Sequence, residues 1–303
     1  MIIGVSRANR LGNALFNHAH LMAAAWEHGT RYANPCFGDN ADLFPRLRND
    51  PFCADLARLL PARAATSVRG LLERGAFRLG KEQAALEAQG RSLPGTRLVA
   101  SGWDSTLETE ARAGVVLVDR EPFRGLVRSS RFLLVSGPLF RFEDRARFLE
   151  WRPRITEYFR PSEAVRRRSS ELAAGARQGA RWLVGVHVRR RDYEEFVGGG
   201  YFYEWQAYEE LMRGIARAWG EDRVAFVVTS DEPIPEHFAA GLRWTPGPGD
   251  CGTDIASLGA CDRVIGPPST FSAWAAFAAG IPLYRIMDPA QVPALDDFVQ
   301  VDG

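Results

Sequence analysis

From residue 182 to residue 286, short apolar runs alternate with amphipathic ones, and this alternation constrains the fold more than any other feature of the chain. Residues 182–188, 224–229, 263–265 and 282–286 have the length and β-branched content of buried strands. Between them, Trp205, Tyr208, Met212, Ile215 and Trp219 recur on one helical face, and residues 255–260 and 270–279 predict two further helices. Such a succession requires parallel pairing with crossover connections. The chain opens with a fainter version of the signal: a strand at 2–5, then a helix over 13–28 with Leu15, Ala19, Met22 and Trp26 on one face. Strand-like runs return at 97–100, 115–118 and 132–135, and Pro161 separates predicted helices over 142–159 and 162–176. Residues 34–95, rich in Pro, Gly and Arg, predict only short helical pieces.

The expected architecture is α/β, with two Rossmann-like domains, 1–178 and 179–303, facing each other across a cleft. The linker falls in or around residues 161–179. A hydrophobic content of 46% and a charged content of 25% suit a soluble globular protein and exclude disorder, a fibre or a disulfide-stapled mini-protein. Cys36, Cys53, Cys251 and Cys261 show no C-x-x-C spacing and no nearby histidine pair, so scattered reduced thiols are expected rather than a zinc or redox site. No apolar run approaches the roughly 20 residues of a membrane span, and the opening apolar stretch is too short for a signal peptide. A cytoplasmic location is expected.

The net charge of +1 hides an asymmetry: residues 141–191 carry 14 Arg against 6 acids, and residues 192–303 carry 6 Arg against 18. Genome composition accounts for most surface arginines. An Arg-rich stretch can also meet phosphate or make peripheral contact with an anionic membrane. Nothing resembles a recognition helix, a zinc finger or an RNA-binding aromatic motif, so nucleic acid is not an expected partner.

In open parallel sheets, ligands bind beyond the carboxyl ends of the strands, and four polar segments stand there. The first, Asn9-Arg10-Leu11-Gly12-Asn13, opens a helix, where Gly12 permits close backbone approach and the amides near Asn13 favour an anion. Taken alone, an ordinary turn and N-cap explain it better. The second, His187-Val188-Arg189-Arg190-Arg191-Asp192-Tyr193, ends an apolar strand. Alternation puts His187 and Arg189 on one face and Val188 and Arg190 on the other. A buried strand that ends in arginine makes sense if Arg189 grips a phosphate bidentately. The competing reading has Asp192 or another carboxylate pairing these arginines, and Arg191 reads as plain surface. In the third, Thr229-Ser230-Asp231-Glu232-Pro233, the Asp231 carboxylate either holds a ribose or an arginine, or caps a helix before Pro233. The fourth runs from Asp254 to Asp262, then through a strand to Ser269-Thr270-Phe271-Ser272 at a helix start. Hydroxyls and free N–H groups there suit a diphosphate, and capping by Ser269 or Asp254 is the plainer reading.

No P-loop, G-x-S-x-G, H-E-x-x-H, G-x-G-x-x-G or Asp-x-Asp pattern occurs. A bound diphosphate would be neutralised by arginine and helix N-termini, so neither metal nor other cofactor is expected.

Together the segments resemble the bacterial α1,2-fucosyltransferases of glycosyltransferase family 11, within the wider α1,2, α1,6 and protein-O-fucosyltransferase group. That family's G-R-L-G-N-Q-x-F is similar to residues 9–16, its H-x-R-R-x-D-Y to His187 through Tyr193, and its S-D to Ser230-Asp231. Its N-S-T-F-S-W-W is similar to residues 268–274, and its D-I-x-x-L-x-x-x-D spacing is matched by Asp254, Leu258 and Asp262. The order agrees over nearly the whole chain, with departures at Asn9, Ala14, Arg191, Pro268 and Ala273.

The resemblance implies a GT-B fold, GDP-fucose as donor, a glycan acceptor on the N-terminal domain, no metal, and inversion at the anomeric carbon. Carried over by position, Arg189 would bind the diphosphate and stabilise departing GDP, with His187 and Asn13 also catalytic. Asp254 would read the guanine edge. Arg10, Gly12, Arg190, Asp192, Ser230, Asp231, Ser269, Thr270, Phe271 and Ser272 would complete the donor site. His18, His20, Asp192 and Glu195 are the choices for a general base. Transfer from another GDP-sugar, GDP-mannose or GDP-rhamnose, and non-catalytic recognition of GDP-sugars or glycans are the alternatives.

Overall fold

The computed structural model describes residues 1–5, 10–50, 62–101, 114–137 and 139–303; Asn9, in the first motif, lies outside them. In chain order the elements begin with β1 (Ile2–Gly4), α1 (Leu11–Glu27), β2 (Tyr32–Ala33), α2 (Pro45–Asn49), α3 (Ala62–Glu87) and β3 (Thr96–Ala100). Next come β4 (Val116–Leu117), α4 (Glu121–Ser129), β5 (Phe132–Ser136), β6 (Phe140–Arg141), α5 (Arg145–Glu150), α6 (Arg152–Tyr158) and α7 (Glu163–Arg177). The remainder is β7 (Trp182–Val188), α8 (Trp205–Trp219), β8 (Val224–Ser230), β9 (Trp244–Pro246), α9 (Cys251–Gly259), β10 (Arg263–Gly266), α10 (Thr270–Ala279) and β11 (Leu283–Arg285). They form two units, Met1–Arg160 and Pro161–Gly303.

The first unit is built on a parallel sheet of order β2-β1-β5-β3, beside a separate parallel pair β4-β6. Helix α1 is buried along most of its length, with Leu15, Phe16, Ala19, Leu21 and Met22 at 2% exposure or less. Its buried polar side chains Asn17, His18 and His20 each meet a neighbouring protein group. Asn17 accepts the Phe140 N–H at 3.1 Å and donates to the Gly137 carbonyl at 3.3 Å. His20 accepts the Phe142 N–H through Nδ1 at 3.2 Å and stacks on Phe148. His18 sits among Tyr32, Phe37, Tyr158 and Phe159, with Nδ1 3.2 Å from the Asn34 amide. Burial, then the neighbouring Arg141, pushes the His20 pKa well below its usual value, which keeps the ring neutral. Two of the four expected general-base choices, His18 and His20, are therefore core residues.

Helix α3 corrects the expectation of short helical pieces: residues 62–87 form one helix of 26 residues. Gly70, Gly75 and Gly80 weaken its helical signal. Gly80 has a packing reason to be there, since a Cβ at that position would lie 2.9 Å from the Val5 side chain.

In the second unit all five strands are parallel, in the order β9-β8-β7-β10-β11. Its first strand is thus central, and the direction of winding reverses between β7 and β10. One face of β7 and β8 (Val184, Val186, Val188, Phe226, Val228) packs on Tyr208, Met212 and Ile215 of α8. The other face (Leu183, Ala225, Val227) packs on Ala173 and Ala176 of α7 and on Cys261. Helix α7, capped by Ser162, is accordingly part of the second unit, which begins at Pro161, within the expected linker.

Ion pairs account for much of the charge asymmetry. Arg177 meets Asp262 through two hydrogen bonds of 2.8 and 2.7 Å, Arg168 pairs with Asp250, and Arg189 and Arg190 have acidic partners of their own. In the first unit Arg147 pairs with Glu27 and Arg160 with Glu157. No helix of the described residues is long and apolar enough to cross a membrane.

Candidate functional site

At the carboxyl ends of β7 and β8 lies a pocket of about 270 Å³, lined by His187, Arg189, Arg191, Thr229, Ser230, Asp231, Gly249, Cys251, Asp254 and Phe271. It sits where the strand order of the second unit reverses, the place where open parallel sheets accept ligands.

Strand alternation positions its cations as expected. The Arg189 side chain, 20% exposed, is held between Asp192 at 2.8 Å and Asp231 at 3.3 Å. Its guanidinium lies over the Tyr193 ring, 5.9 Å from the centroid, and its backbone N–H reaches the buried Tyr208 hydroxyl at 3.5 Å. Both contacts are ion pairs without hydrogen-bond alignment, which leaves guanidinium N–H donors for a ligand. The carboxylate pairing weighed against a phosphate grip is thus present at this residue.

Arg190 points to the opposite face. It pairs with Glu232 and with Glu204 at 2.9 Å, donates to the Tyr203 carbonyl at 2.7 Å, and packs on Phe202 and Trp205. It does not line the pocket, so its expected donor contact gives way to a structural one. Arg190→Met strands a partly buried Glu232 and is expected to destabilise the fold by about 2 kcal/mol. Thermal melting should then show a drop of several degrees; an unchanged melting temperature would mean that the network contributes nothing.

His187 is 3% exposed and stacks on Phe271 at 4.9 Å. Nδ1 lies 3.5 Å from the Thr229 hydroxyl, and the buried Nε2 has no hydrogen-bond partner among the described residues. Burial lowers its pKa to about 4, against a smaller raising effect of Asp231, so the ring is neutral at pH 7. A neutral imidazole can hydrogen-bond a ligand without adding charge.

Asp231 does not cap a helix. One carboxylate oxygen accepts the Arg190 N–H at 3.0 Å and the other faces Arg189, which ties β8 to β7 at the pocket rim. Nor does Asp254: the N-cap of α9 is Asp250, which accepts the Thr253 N–H at 2.8 Å. Asp254 lies within the first turn, 5% exposed, and accepts the Gly249 N–H at 3.1 Å. Burial raises its pKa to about 6, with Asp250 adding to the rise and the Gly249 N–H and Arg168 opposing it. Gly247 makes room for this carboxylate, since a Cβ there would fall 2.6 Å from Oδ1.

The helix-start serines bond to the local backbone. Ser269 caps α10 by accepting the Phe271 N–H at 3.2 Å, and the fully buried Ser272 hydroxyl donates to the Ser269 carbonyl. Ser269, Thr270 and Ser272 do not line the pocket; Phe271 does. Ser230 lines it while holding the Glu232 N–H at 3.2 Å. Arg10, Gly12 and Asn13 open α1 in the first unit, with Arg10 extended at the N-cap. Sequence reasoning missed Gly249 and Cys251, which carry no motif, gave Thr229 no role although it opens the third segment, and set aside Arg191, which reaches the pocket from the strand end.

Two Rossmann-like units, the second with its ligand-sized pocket at the strand switch, define a fold of GT-B type. No family model matches the chain, and no curated protein matches it. Solved structures do. FUT1 from Arabidopsis thaliana, an Arg-to-Lys mutant in complex with GDP, superposes with a TM-score of 0.58 at 12% identity, covering 99% of this chain and 73% of that one. NodZ α-1,6-fucosyltransferase soaked with GDP-fucose gives 0.51 at 16% identity, covering 98% and 96%. POFUT1 in complex with GDP gives 0.51 at 14%, covering 93% and 97%. The fold of this chain is the fold of these fucosyltransferases.

Proposed function

We propose that the chain is a metal-independent, inverting glycosyltransferase that moves fucose from GDP-fucose to a glycan hydroxyl, with α1,2 linkage. The observation that carries this reading is the pocket that gathers His187, Arg189, Asp231, Asp254 and Phe271 at the switch point, from segments far apart in sequence. The order of the matching motifs and the GDP-bound structures of like fold support it.

In this reading the second unit holds the donor and the first the acceptor. Departing GDP develops negative charge, which a pre-oriented guanidinium in a partly dry pocket stabilises better than water does. Asp192 and Asp231 hold Arg189 in place for that role. The pocket lining carries two arginines against Asp231 and Asp254, with Asp192 at its edge. The N-terminal amides of α9 and α10 would supply the further positive potential. Proton removal from the acceptor falls to Asp192 or Glu195, and Asp192 is engaged by Arg189.

Calorimetric titration with GDP, UDP and dTDP, followed by turnover of GDP-fucose, tests the reading. Preference for GDP with turnover of GDP-mannose or GDP-rhamnose alone would replace the sugar. GDP binding with no turnover of any donor would leave a binding protein. GDP affinity should be the same in EDTA as in magnesium. A loss of more than tenfold on chelation, about 1.4 kcal/mol, would count against a site neutralised by arginine and helix N-termini without metal.

A further inference from the structure

Arg141 ends β6 in the first unit, and its surroundings are unusual for a half-buried arginine. Its guanidinium lies over the Phe16 ring, 5.6 Å from the centroid. Among the described residues it has no carboxylate partner and no side-chain hydrogen bond. The other ionisable groups that act on it or feel it are Arg145, also cationic, and His20, held neutral. Burial, with Arg145, pulls its pKa down to about 10, which still leaves it charged at pH 7. This contrasts with Arg147, Arg177, Arg189 and Arg190, each of which has an acid.

The placement is built rather than incidental. Asn17 and His20, both buried on α1, hold the Gly137 carbonyl and the Phe140 and Phe142 N–H groups, so the segment that carries Arg141 is stitched to the helix on either side of it. The Arg141 carbonyl accepts the Val118 N–H at 2.8 Å. The segment follows β5, at the carboxyl edge of the first sheet, where an open parallel sheet takes its ligands. A cation–π contact returns only about 0.5–2 kcal/mol, less than the cost of partly burying an unpaired charge.

We propose that Arg141 recognises an anionic group, a carboxylate or a phosphate, carried by the acceptor saccharide. The inference rests on the glycosyltransferase reading and adds the acceptor's chemical class. A planar guanidinium with its donors unspent meets either group through two parallel hydrogen bonds.

The test uses the full chain saturated with GDP, so that charged probes are kept from the donor pocket. Glucuronate, glucose 6-phosphate and glucose are titrated by ligand-observed NMR. At least one charged sugar should bind tenfold or more tighter than glucose, and which of them does so separates a carboxylate from a phosphate. Arg141→Gln should remove that preference, and Arg141→Lys should keep part of it. Melting gives an independent readout: relief of the unpaired charge predicts that Arg141→Gln melts at or above wild type, by roughly 2 °C, whereas a structural role predicts a fall. Equal binding of charged and neutral sugars, or a variant that keeps the preference, overturns the proposal. Absence of GDP binding in the first step overturns the underlying reading instead.

Discussion

Arg189→Lys should lower sugar transfer on the order of 100-fold, within the range seen when one electrostatic donor to a transition state is lost. Lysine keeps the charge but not the fork. In the structure one guanidinium reaches Asp192 and Asp231 at once, from a side chain already 20% exposed and stacked beside Tyr193. An ammonium can hold one of those carboxylates or a phosphate oxygen, and it loses the fixed geometry that keeps donors aimed at the pocket. Stability should change little, because an ammonium retains one ion pair and a partly exposed pair contributes about 0–1 kcal/mol. The measurement is GDP-fucose turnover set beside thermal melting. Arg191→Lys is not a neutral control, since Arg191 lines the same pocket. Lysine at the exposed Arg217 of α8 serves instead. Comparable small effects at 189 and 217 would remove Arg189 from the mechanism.

The second large effect concerns Asp254. If its carboxylate accepts two guanine N–H bonds, Asp254→Asn should reduce the preference for GDP over ADP at least tenfold. The pH profile sharpens the test. Burial raises the pKa of this group from 3.8 to about 6, so wild-type GDP affinity should fall as pH drops below about 6, while the Asn variant stays flat. Stability runs the other way. A carboxyl with a folded pKa above its unfolded value favours the folded state most at low pH, and that advantage is lost as pH rises through about 4 to 6. Asp254→Asn should therefore be no less stable than wild type at pH 7. A variant that melts early and keeps its GDP preference would mark Asp254 as structural only.

The second unit was legible because its strands are buried on both faces. The run 182–188 has no polar residue before His187, and it appears as β7 with the same bounds. Strand β9 escaped notice because Trp244-Thr245-Pro246 is short and ends in proline. Arg189 was legible because an arginine ending a core strand conflicts with burial, whereas Asp254 was picked out only by the family resemblance. Asp254 as a cap was the wrong local reading, because Asp250 lies one turn earlier and takes that role. His18 and His20 show the opposite failure, since titratable type alone cannot separate a proton carrier from a core hydrogen bond. Arg141 gave no signal in the sequence: what marks it is the absence of an acid partner among the described residues.

The central position of β7 has a consequence for how the chain comes into being. Its partner on one side, β8, follows after a single helix, but its partner on the other, β10, begins only at Arg263. At translation rates of about 5–20 residues per second, the valine-rich edge of β7 waits roughly 4–15 s for closure. During that interval the edge can recruit another strand, so nascent chains halted before β10 should be the aggregating species. The pocket, which needs α9 and Phe271 of α10, is among the last features to form.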